Sequence, residues 1–153
     1  MILRFSDFPD DENYSDRLLS RAWNTGRPVK AEYFGHGGRL RGNSSINAIV
    51  FNLKKASISL AQYYVCLELI RMPWYDALCS EWRVPGVPSS CEGYSGGGLI
   101  YWDKGRPVLI GVLSSSYTEN DTCGLDNQTD AFTRVDLHQG WIETKIIEFG
   151  GSV

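Results

Sequence analysis

Apolar and polar residues alternate along the middle of the chain in the way that half-buried β-strands require. The segment Val29–Phe34 alternates, Gly35–Gly38 interrupts the pattern, and Ile46–Ser59 supplies a second long extended segment. Side chains of a strand point alternately to its two faces, so a period of two places one set of residues against a core. The pattern from Val29 onward therefore predicts β-structure.

A hairpin and a helix are predicted in the second half of the chain. Leu99–Trp102 and Pro107–Ser114 are apolar runs separated by the turn residues Asp103–Gly105, which predicts a β-hairpin. The chain then ends in a helix that we expect Asp136 to cap and Gly150-Gly151 to stop. Its apolar residues recur at helical spacing and predict a face that docks on the rest of the protein: Leu137, Trp141, Ile142 and Ile146.

The first 28 residues carry a weaker pattern. Residues 1–5 predict a short strand, and the rest is polar and interrupted by Pro and Gly apart from one amphipathic piece around Tyr14–Trp23. Such a composition is typical of a connector rather than of a domain. Further along the chain, Ser59–Gln62 has the spacing of a capping box and predicts a short helix through Cys66.

Composition and charge narrow the classes of function. With 153 residues the chain can form one domain with a substantial core, and its net charge of −3 argues against nucleic acid or an anionic membrane surface as a partner. No run approaches the roughly 18 apolar residues of a membrane span. Acidic residues within positions 7–12 interrupt the apolar stretch that a signal peptide needs, so no export signal is visible.

The cysteines suit disulfides better than a metal. All four lack the Cys-x-x-Cys spacing of a structural zinc site, so we expect no metal, and nothing in the sequence implies a cofactor. An even number suits two disulfides, for which the sequence alone allows three pairings. Asn-x-Ser/Thr triplets also suit an extracellular route, and they begin at Asn13, Asn43, Asn120 and Asn127. Cysteines and triplets together favour an oxidising compartment.

The stretch Cys91–Leu99 carries the candidate chemistry. Its sequence, Cys-Glu-Gly-Tyr-Ser-Gly-Gly-Gly-Leu, places Ser95 between glycines just before an apolar run. Glycine permits torsions and close approaches that a Cβ would forbid, which suits a turn that presents a hydroxyl and aims N–H groups at a developing oxyanion. The Gly-x-Ser-x-Gly pattern alone fits a Gly-rich hairpin connection about equally well.

The flanks of this stretch resemble the nucleophile segment of the trypsin/chymotrypsin-like serine endopeptidases, Cys-x-Gly-Asp-Ser-Gly-Gly-Pro-Leu. Further similarities, spread over about residues 29–148, occur in the family's order: Cys66 and Cys79 before the serine, and Pro107–Ser116, Cys123, Ala131–Val135 and Gly140–Ile142 after it. The resemblance implies an all-β fold, the second barrel of such a protease. Residues 29–153 would form an antiparallel, Greek-key, six-stranded barrel with a C-terminal helix, and residues 1–28 a remnant strand and inter-barrel connector.

The resemblance also assigns roles to residues. It implies that Ser95 is the nucleophile, that the backbone N–H groups of Gly93 and Ser95 form the oxyanion hole, and that the disulfides join Cys66 to Cys79 and Cys91 to Cys123. The implied substrate-binding residues are Ser89 at the pocket floor, Ser114, Ser115 and Ser116 along the substrate backbone, and Asp130 at the rear wall. Two interpretations of Asp130 stay open, a pocket carboxylate that selects Lys or Arg side chains and a solvated loop acid.

Two departures from the family pattern bear on activity. Tyr94 stands where the family has an aspartate, which in zymogen-activated members pairs with the new N-terminal amine and locks the oxyanion hole. The family's catalytic histidine and aspartate belong to the half that would precede Met1. Neither His36 nor His138 matches a catalytic motif, and we expect both to lie away from Ser95. Without a base, a serine hydroxyl is a weak nucleophile at neutral pH.

The sequence therefore favours the nucleophile-bearing half of a serine-type endopeptidase, which would hydrolyse polypeptides through an acyl-enzyme and would be inactive without an N-terminal barrel. The alternative is a non-catalytic serine-protease homologue that binds or regulates a protein partner. A third hypothesis, an α/β-hydrolase, fits Gly93–Gly97 as a nucleophile elbow, but the elbow needs a strand–turn–helix and a hairpin follows here. The family and the cysteines imply an extracellular, secreted protein.

Overall fold

A computed structural model describes residues 13–36, 53–62, 66–68, 77–81, 94–118 and 128–152 of the chain. They form two helices and six strands, with a 3₁₀ turn at Asp136–His138. In chain order the elements are α1 (Tyr14–Thr25), β1 (Lys30–Gly35), β2 (Lys54–Ser59), β3 (Ala77–Cys79), β4 (Gly98–Asp103), β5 (Arg106–Thr118), β6 (Gln128–Arg134) and α2 (Gln139–Glu148). The strand predicted at residues 1–5 lies outside the described residues.

The six strands form one antiparallel sheet in the order β2-β1-β4-β5-β6-β3. The edge strands β2 and β3 meet at one end, where Leu60 and Ser80 form an isolated antiparallel bridge. The backbone N–H of Ala61 donates to the carbonyl O of Cys79 there, at 2.9 Å. The predicted all-β fold class, a six-stranded antiparallel sheet followed by a C-terminal helix, is confirmed.

The core lies on the inner face of this sheet. Along β1 the buried and partly exposed residues alternate, as the sequence predicted, so that Ala31 and Tyr33 point inward. The central side chains contributed by the other strands are Leu99, Ile110 and Phe132, and all three are fully buried. Helix α1 closes the same core by adding Leu18, Leu19 and Ala22, so the amphipathic piece of the connector is a packed helix.

The predicted hairpin forms with the expected turn. β4 and β5 pair from Gly98 with Val112 to Asp103 with Arg106, and Lys104 and Gly105 form the turn between them with positive φ values of 50° and 83°. Positive φ at both central residues is the geometry that closes a two-residue hairpin without splaying the strands.

The predicted helix caps at Ser59 and Asp136 are wrong. Each residue instead contacts a part of the protein outside the helix that it was expected to cap. Ser59 pairs with Lys30 in the β1–β2 ladder and does not begin a helix. The helical turn at residues 66–68 follows a hydrogen bond from Cys66 N–H to the Gln62 carbonyl. Asp136 binds Arg134 and the Ser15 N–H instead of capping α2, whose N-cap residue is His138 without a side-chain cap bond.

The apolar stripe of the C-terminal helix is used only in part. Ile142 packs against the cluster of Ile100, Leu109 and Val135, as a docking face would. Trp141, however, is 65 % exposed and Leu137 is 42 % exposed. The predicted stop is present: Gly150 adopts φ +78°, and the Gly151 N–H donates to the Ile146 carbonyl at 2.8 Å.

Candidate active site

Ser95 lies at the corner of a tight turn formed by residues 94–97. The Gly97 N–H donates to the Tyr94 carbonyl at 3.1 Å, and Gly96 is the turn residue with positive φ, +83°. A positive φ only at the third residue is the signature of a type II turn, which requires glycine there. The geometry leaves the Ser95 side chain exposed at the second position of the turn.

Backbone hydrogen bonds fix this turn to β5. The Gly96 N–H donates to the Leu113 carbonyl, and the Leu113 N–H donates to the Gly97 carbonyl, each at 2.9 Å. Gly97 must be glycine for a different reason, since a Cβ there would lie 2.6 Å from the Phe34 carbonyl O and 2.5 Å from Tyr33 Cε2. The turn that carries Ser95 is therefore packed directly against β1 and β5.

Tyr94 anchors the other end of the turn. Its carbonyl also accepts a hydrogen bond from the buried Tyr33 hydroxyl at 2.9 Å. The two rings lie 5.9 Å apart at a tilt of 54°, and Lys54 Nζ lies 6.0 Å from the centre of the Tyr94 ring. Tyr94 is 7 % exposed, so this position, where the family has an aspartate, is filled by a packed aromatic ring.

The serine run Ser114–Ser116 lies on a strand edge beside this turn. β4 pairs with β5 only as far as Val112, and beyond it a bulge between Leu113 and Ser115 makes Ser114 the extra residue. From Ser115 onward β5 pairs with β6 on one side, while no strand among the described residues pairs with the other side. Because Gly96 is bonded to Leu113, this unpaired edge begins next to Ser95.

Asp130 is fully buried in β6. Ser116 Oγ and Gln128 Nε2 both donate to its Oδ1, at 2.8 and 2.7 Å, and its backbone N–H donates to Ser80 Oγ at 2.9 Å. The interpretation of Asp130 as a solvated loop acid is wrong, because β6 is buried on both faces and this segment has no solvent side. The interpretation as a pocket carboxylate stays a prediction.

A cleft of about 370 Å³ opens at the turn and is shared by Ser95 and His36. Its other walls come from Phe34 and Gly35 of β1, Leu53, the turn residues, and Leu109 and Val112 of β5. The expectation that His36 lies away from the nucleophile is wrong. Phe34 pairs with Gly98, so the end of β1 lies beside the residues that precede β4. His138 lies at the start of α2, as the sequence predicted.

Several predicted site residues lie outside the described part of the chain. These are Gly93 of the oxyanion hole, Ser89 of the pocket floor, and the cysteines Cys91 and Cys123. The other predicted pair, Cys66 and Cys79, is joined by a disulfide. Tyr33 was not foreseen as a site residue, because its alternating position in β1 marks it only as a core side chain.

The Trypsin family model matches residues 27–142 of this chain. The match covers more than half of the chain, and the protein belongs to the trypsin family. The family membership predicted from the residues around Ser95 is thereby confirmed. The six-stranded sheet with its C-terminal helix is consistent with a trypsin-like β-barrel.

A trypsin-family domain that carries a disulfide is typical of secreted proteins. Within the described ranges, no helix has both the length and the apolar character needed to cross a membrane.

Proposed function

We propose that this chain is the nucleophile-bearing part of a serine-type endopeptidase, with Ser95 as the nucleophile. The observation that carries the proposal is the position of Ser95, which is exposed at the corner of a hydrogen-bonded turn. It lies next to an edge of β5 that pairs with no other described strand. The Ser95 Oγ bonds the carbonyl carbon of a peptide, the C–N bond breaks, and the amine leaves with a proton. Water then hydrolyses the acyl-enzyme.

The substrate in this proposal is an extended polypeptide. The edge of β5 that begins at Ser114 pairs with no other described strand, and here it would offer backbone N–H and C=O groups to a chain that adds as a further strand. Gly93 and Ser95 supply the N–H groups of the oxyanion hole. Ser89 and Asp130 line the pocket for the substrate side chain, where a carboxylate favours Lys or Arg.

Hydrolysis also needs a base that takes the proton from Ser95 Oγ. No position of this sequence matches the family's catalytic histidine or aspartate, so we propose that these groups come from a separate N-terminal barrel. The 153 residues alone would then keep only the acceleration that the oxyanion hole and substrate binding provide. Substitution of His36 tests whether this chain supplies a base of its own, since the His36 imidazole lines the same cleft as Ser95.

A fluorophosphonate probe tests the proposal, with Ser95→Ala and His36→Ala as matched variants. The expected result is slow labelling that mass spectrometry places on Ser95, that S95A loses and that H36A keeps. Rapid stoichiometric labelling that H36A abolishes would make His36 the base and would overturn the proposal that the chain is inactive by itself. Labelling spread evenly over exposed serines such as Ser114 would show that Ser95 is not activated.

The second candidate is a non-catalytic homologue that binds a protein partner through the same edge. Two observations favour it: a buried Tyr94 ring stands in place of a carboxylate, and Ser116 and Gln128 already donate hydrogen bonds to the buried Asp130 carboxylate. NMR titration with an extended peptide separates the candidates. Shifts at Ser114–Ser116 without cleavage, in the presence of a family N-terminal barrel, would support the binding module.

We also propose that the protein is extracellular. The Cys66–Cys79 disulfide is the observation that favours this location, since such bonds persist in oxidising compartments. Thiol-alkylation gel shifts on the protein in its native location provide the test. Free thiols at both positions would contradict the proposal.

A further inference from the structure

The peptide unit between Tyr94 and Ser95 is held from its carbonyl side. The Tyr94 oxygen accepts two hydrogen bonds, from the Gly97 N–H at 3.1 Å and from the Tyr33 hydroxyl at 2.9 Å. A carbonyl has two lone pairs, so these two donors use its full capacity. The peptide unit is planar and trans, so fixing the direction of the Tyr94 C=O also fixes the Ser95 N–H, which points the opposite way.

The Ser95 N–H is left available by this arrangement. No hydrogen bond from it to another described residue is present. The other polar hydrogen of the turn's interior, the Gly96 N–H, is already bonded to Leu113. A backbone donor that faces outward beside an exposed serine hydroxyl is what an oxyanion hole needs.

Tyr33 is itself rigidly placed. It is 3 % exposed, and its ring lies between Tyr94 and Phe132, at centroid distances of 5.9 and 5.8 Å. Its backbone pairs with Leu99 on one side and Ala56 on the other, so β1 is fixed from both neighbouring strands. A hydroxyl delivered from the middle of a sheet positions its partner more precisely than one on a loop does.

We propose that Tyr33 is a positioning residue that sets the direction of the Ser95 N–H, and that this lock needs no free amino terminus. The inference rests on the proposed role of Ser95. Where relatives hold this loop by a buried carboxylate and an amine, this chain holds it by a phenol hydroxyl, a carbonyl and ring packing. All of these groups are neutral, and all belong to the described residues.

The test compares Tyr33→Phe with the matched control Tyr101→Phe. Y33F removes only the donor, because the ring remains. Tyr101 packs against the same core, and its hydroxyl bonds no described residue. In a ¹⁵N–¹H spectrum of the full chain we expect Y33F to shift and broaden the Ser95 amide, and Y101F and N-terminal acetylation to leave it unchanged. An unchanged Ser95 amide in Y33F, or an equal response to acetylation, would overturn the proposal.

A functional readout accompanies the spectrum. A tripeptide boronic acid bonds Ser95 Oγ and places an oxygen in the hole, whereas the matching peptide amide does not. Y33F should weaken the boronic acid about tenfold or more and leave the affinity of the amide unchanged. Equal losses for both ligands would show a general structural role and overturn the proposal. If the wild-type chain binds the boronic acid and the peptide amide equally, the proposed role of Ser95 is contradicted. The ¹⁵N–¹H spectrum then still tests the role of Tyr33.

A measurement on the unmodified chain covers the case in which Y33F does not fold. The hydrogen–deuterium isotope shift on Tyr33 Cζ reports how fast its hydroxyl proton exchanges. A buried, bonded hydroxyl exchanges slowly, which is the expected result. Exchange as fast as that of the Tyr101 hydroxyl would contradict the hydrogen bond and the lock together.

Discussion

Arg134 and Asp136 form a two-point ion pair inside the protein, with Nε–Oδ1 and Nη2–Oδ2 distances of 3.0 and 2.8 Å. The same Asp136 Oδ2 accepts the Ser15 N–H at 2.8 Å, and Arg134 Nη1 reaches Asp16. Burial alone would lower the pKa of Arg134, but the hydrogen bonds to Asp136 and Asp16 more than offset it and raise the pKa. This pair joins the end of β6 to the start of α1.

Asp136→Asn should destabilise the protein strongly. The substitution keeps the shape but removes the buried charge partner of the guanidinium and leaves only the exposed Asp16, and loss of a buried partner typically costs about 3–5 kcal/mol. Urea unfolding followed by circular dichroism measures the loss. Asp16→Asn is the control on the same arginine: the Asp16 side chain is 55 % exposed and that of Asp136 is 0 % exposed, so D16N should cost about 0–1 kcal/mol. Equal losses for the two variants would contradict the assignment.

Gly97→Ala should destabilise the turn by about 1–3 kcal/mol, because the new Cβ would overlap the Phe34 carbonyl and the Tyr33 ring. It should also slow fluorophosphonate labelling at Ser95. Gly140→Ala is the matched control with the opposite sign. Gly140 lies in α2 with nothing within 4 Å of the position that a Cβ would take, so alanine should stabilise by up to about 1 kcal/mol. A neutral G97A would show that the turn is not packed as described.

Removal of the Cys66–Cys79 disulfide should cost about 3 kcal/mol. The bond closes a loop with a sequence separation of 13, and a crosslink of this length restricts the unfolded chain by about that amount. The double variant C66A/C79A is compared with the wild type by denaturant unfolding. The single variant C66A also lacks the disulfide but keeps the buried Cys79 side chain. The difference in unfolding free energy between C66A and the double variant therefore measures what the Cys79 side chain contributes apart from the crosslink. A loss below about 1 kcal/mol in the double variant would contradict the prediction.

Glu32 should make stability depend on pH in the acidic range. The hydrogen bond from Lys55 at 2.8 Å, followed by that from Trp102 Nε1 at 2.8 Å, lowers its pKa. A lowered folded-state pKa contributes stability above the unfolded value, and this contribution is lost as the pH falls through the folded value. The stability gap between wild type and Glu32→Gln should therefore shrink as the pH falls below about 5. Lys55→Met removes the hydrogen bond that lowers the Glu32 pKa most, so its stability difference from wild type should also shrink in acid. A difference between wild type and Glu32→Gln that widens as the pH falls would contradict the prediction.

The locally encoded parts of the fold could be predicted from the sequence, whereas the site depends on long-range pairing. The β4–β5 hairpin was predicted because two apolar runs flank a turn of suitable residues. The neighbourhood of His36 and Ser95 could not be predicted, since it arises from the pairing of Phe34 with Gly98, far apart in the chain. The residues next to His36 in the sequence contain no pattern that predicts the pairing of Phe34 with Gly98.

The wrong assignments share a physical cause. Ser59 and Asp136 have good local capping patterns, but strand pairing and a buried arginine offered stronger partners. Asp130 follows a polar run that is typical of a solvated loop, yet Ser116 and Gln128 satisfy its carboxylate inside the protein. In each case a tertiary contact outweighed a preference that extends over only a few residues.

The edge of β5 beyond Ser114 has a consequence for handling the protein. No other strand among the described residues pairs with this edge, and backbone donors and acceptors on such an edge do not distinguish a substrate from a second copy of the same polypeptide. Ser114 and Ser115 carry no charge that would repel a second copy. Concentrated solutions should therefore form edge-to-edge oligomers. A short extended peptide that occupies this edge would inhibit any activity and, by the same contact, keep the protein soluble.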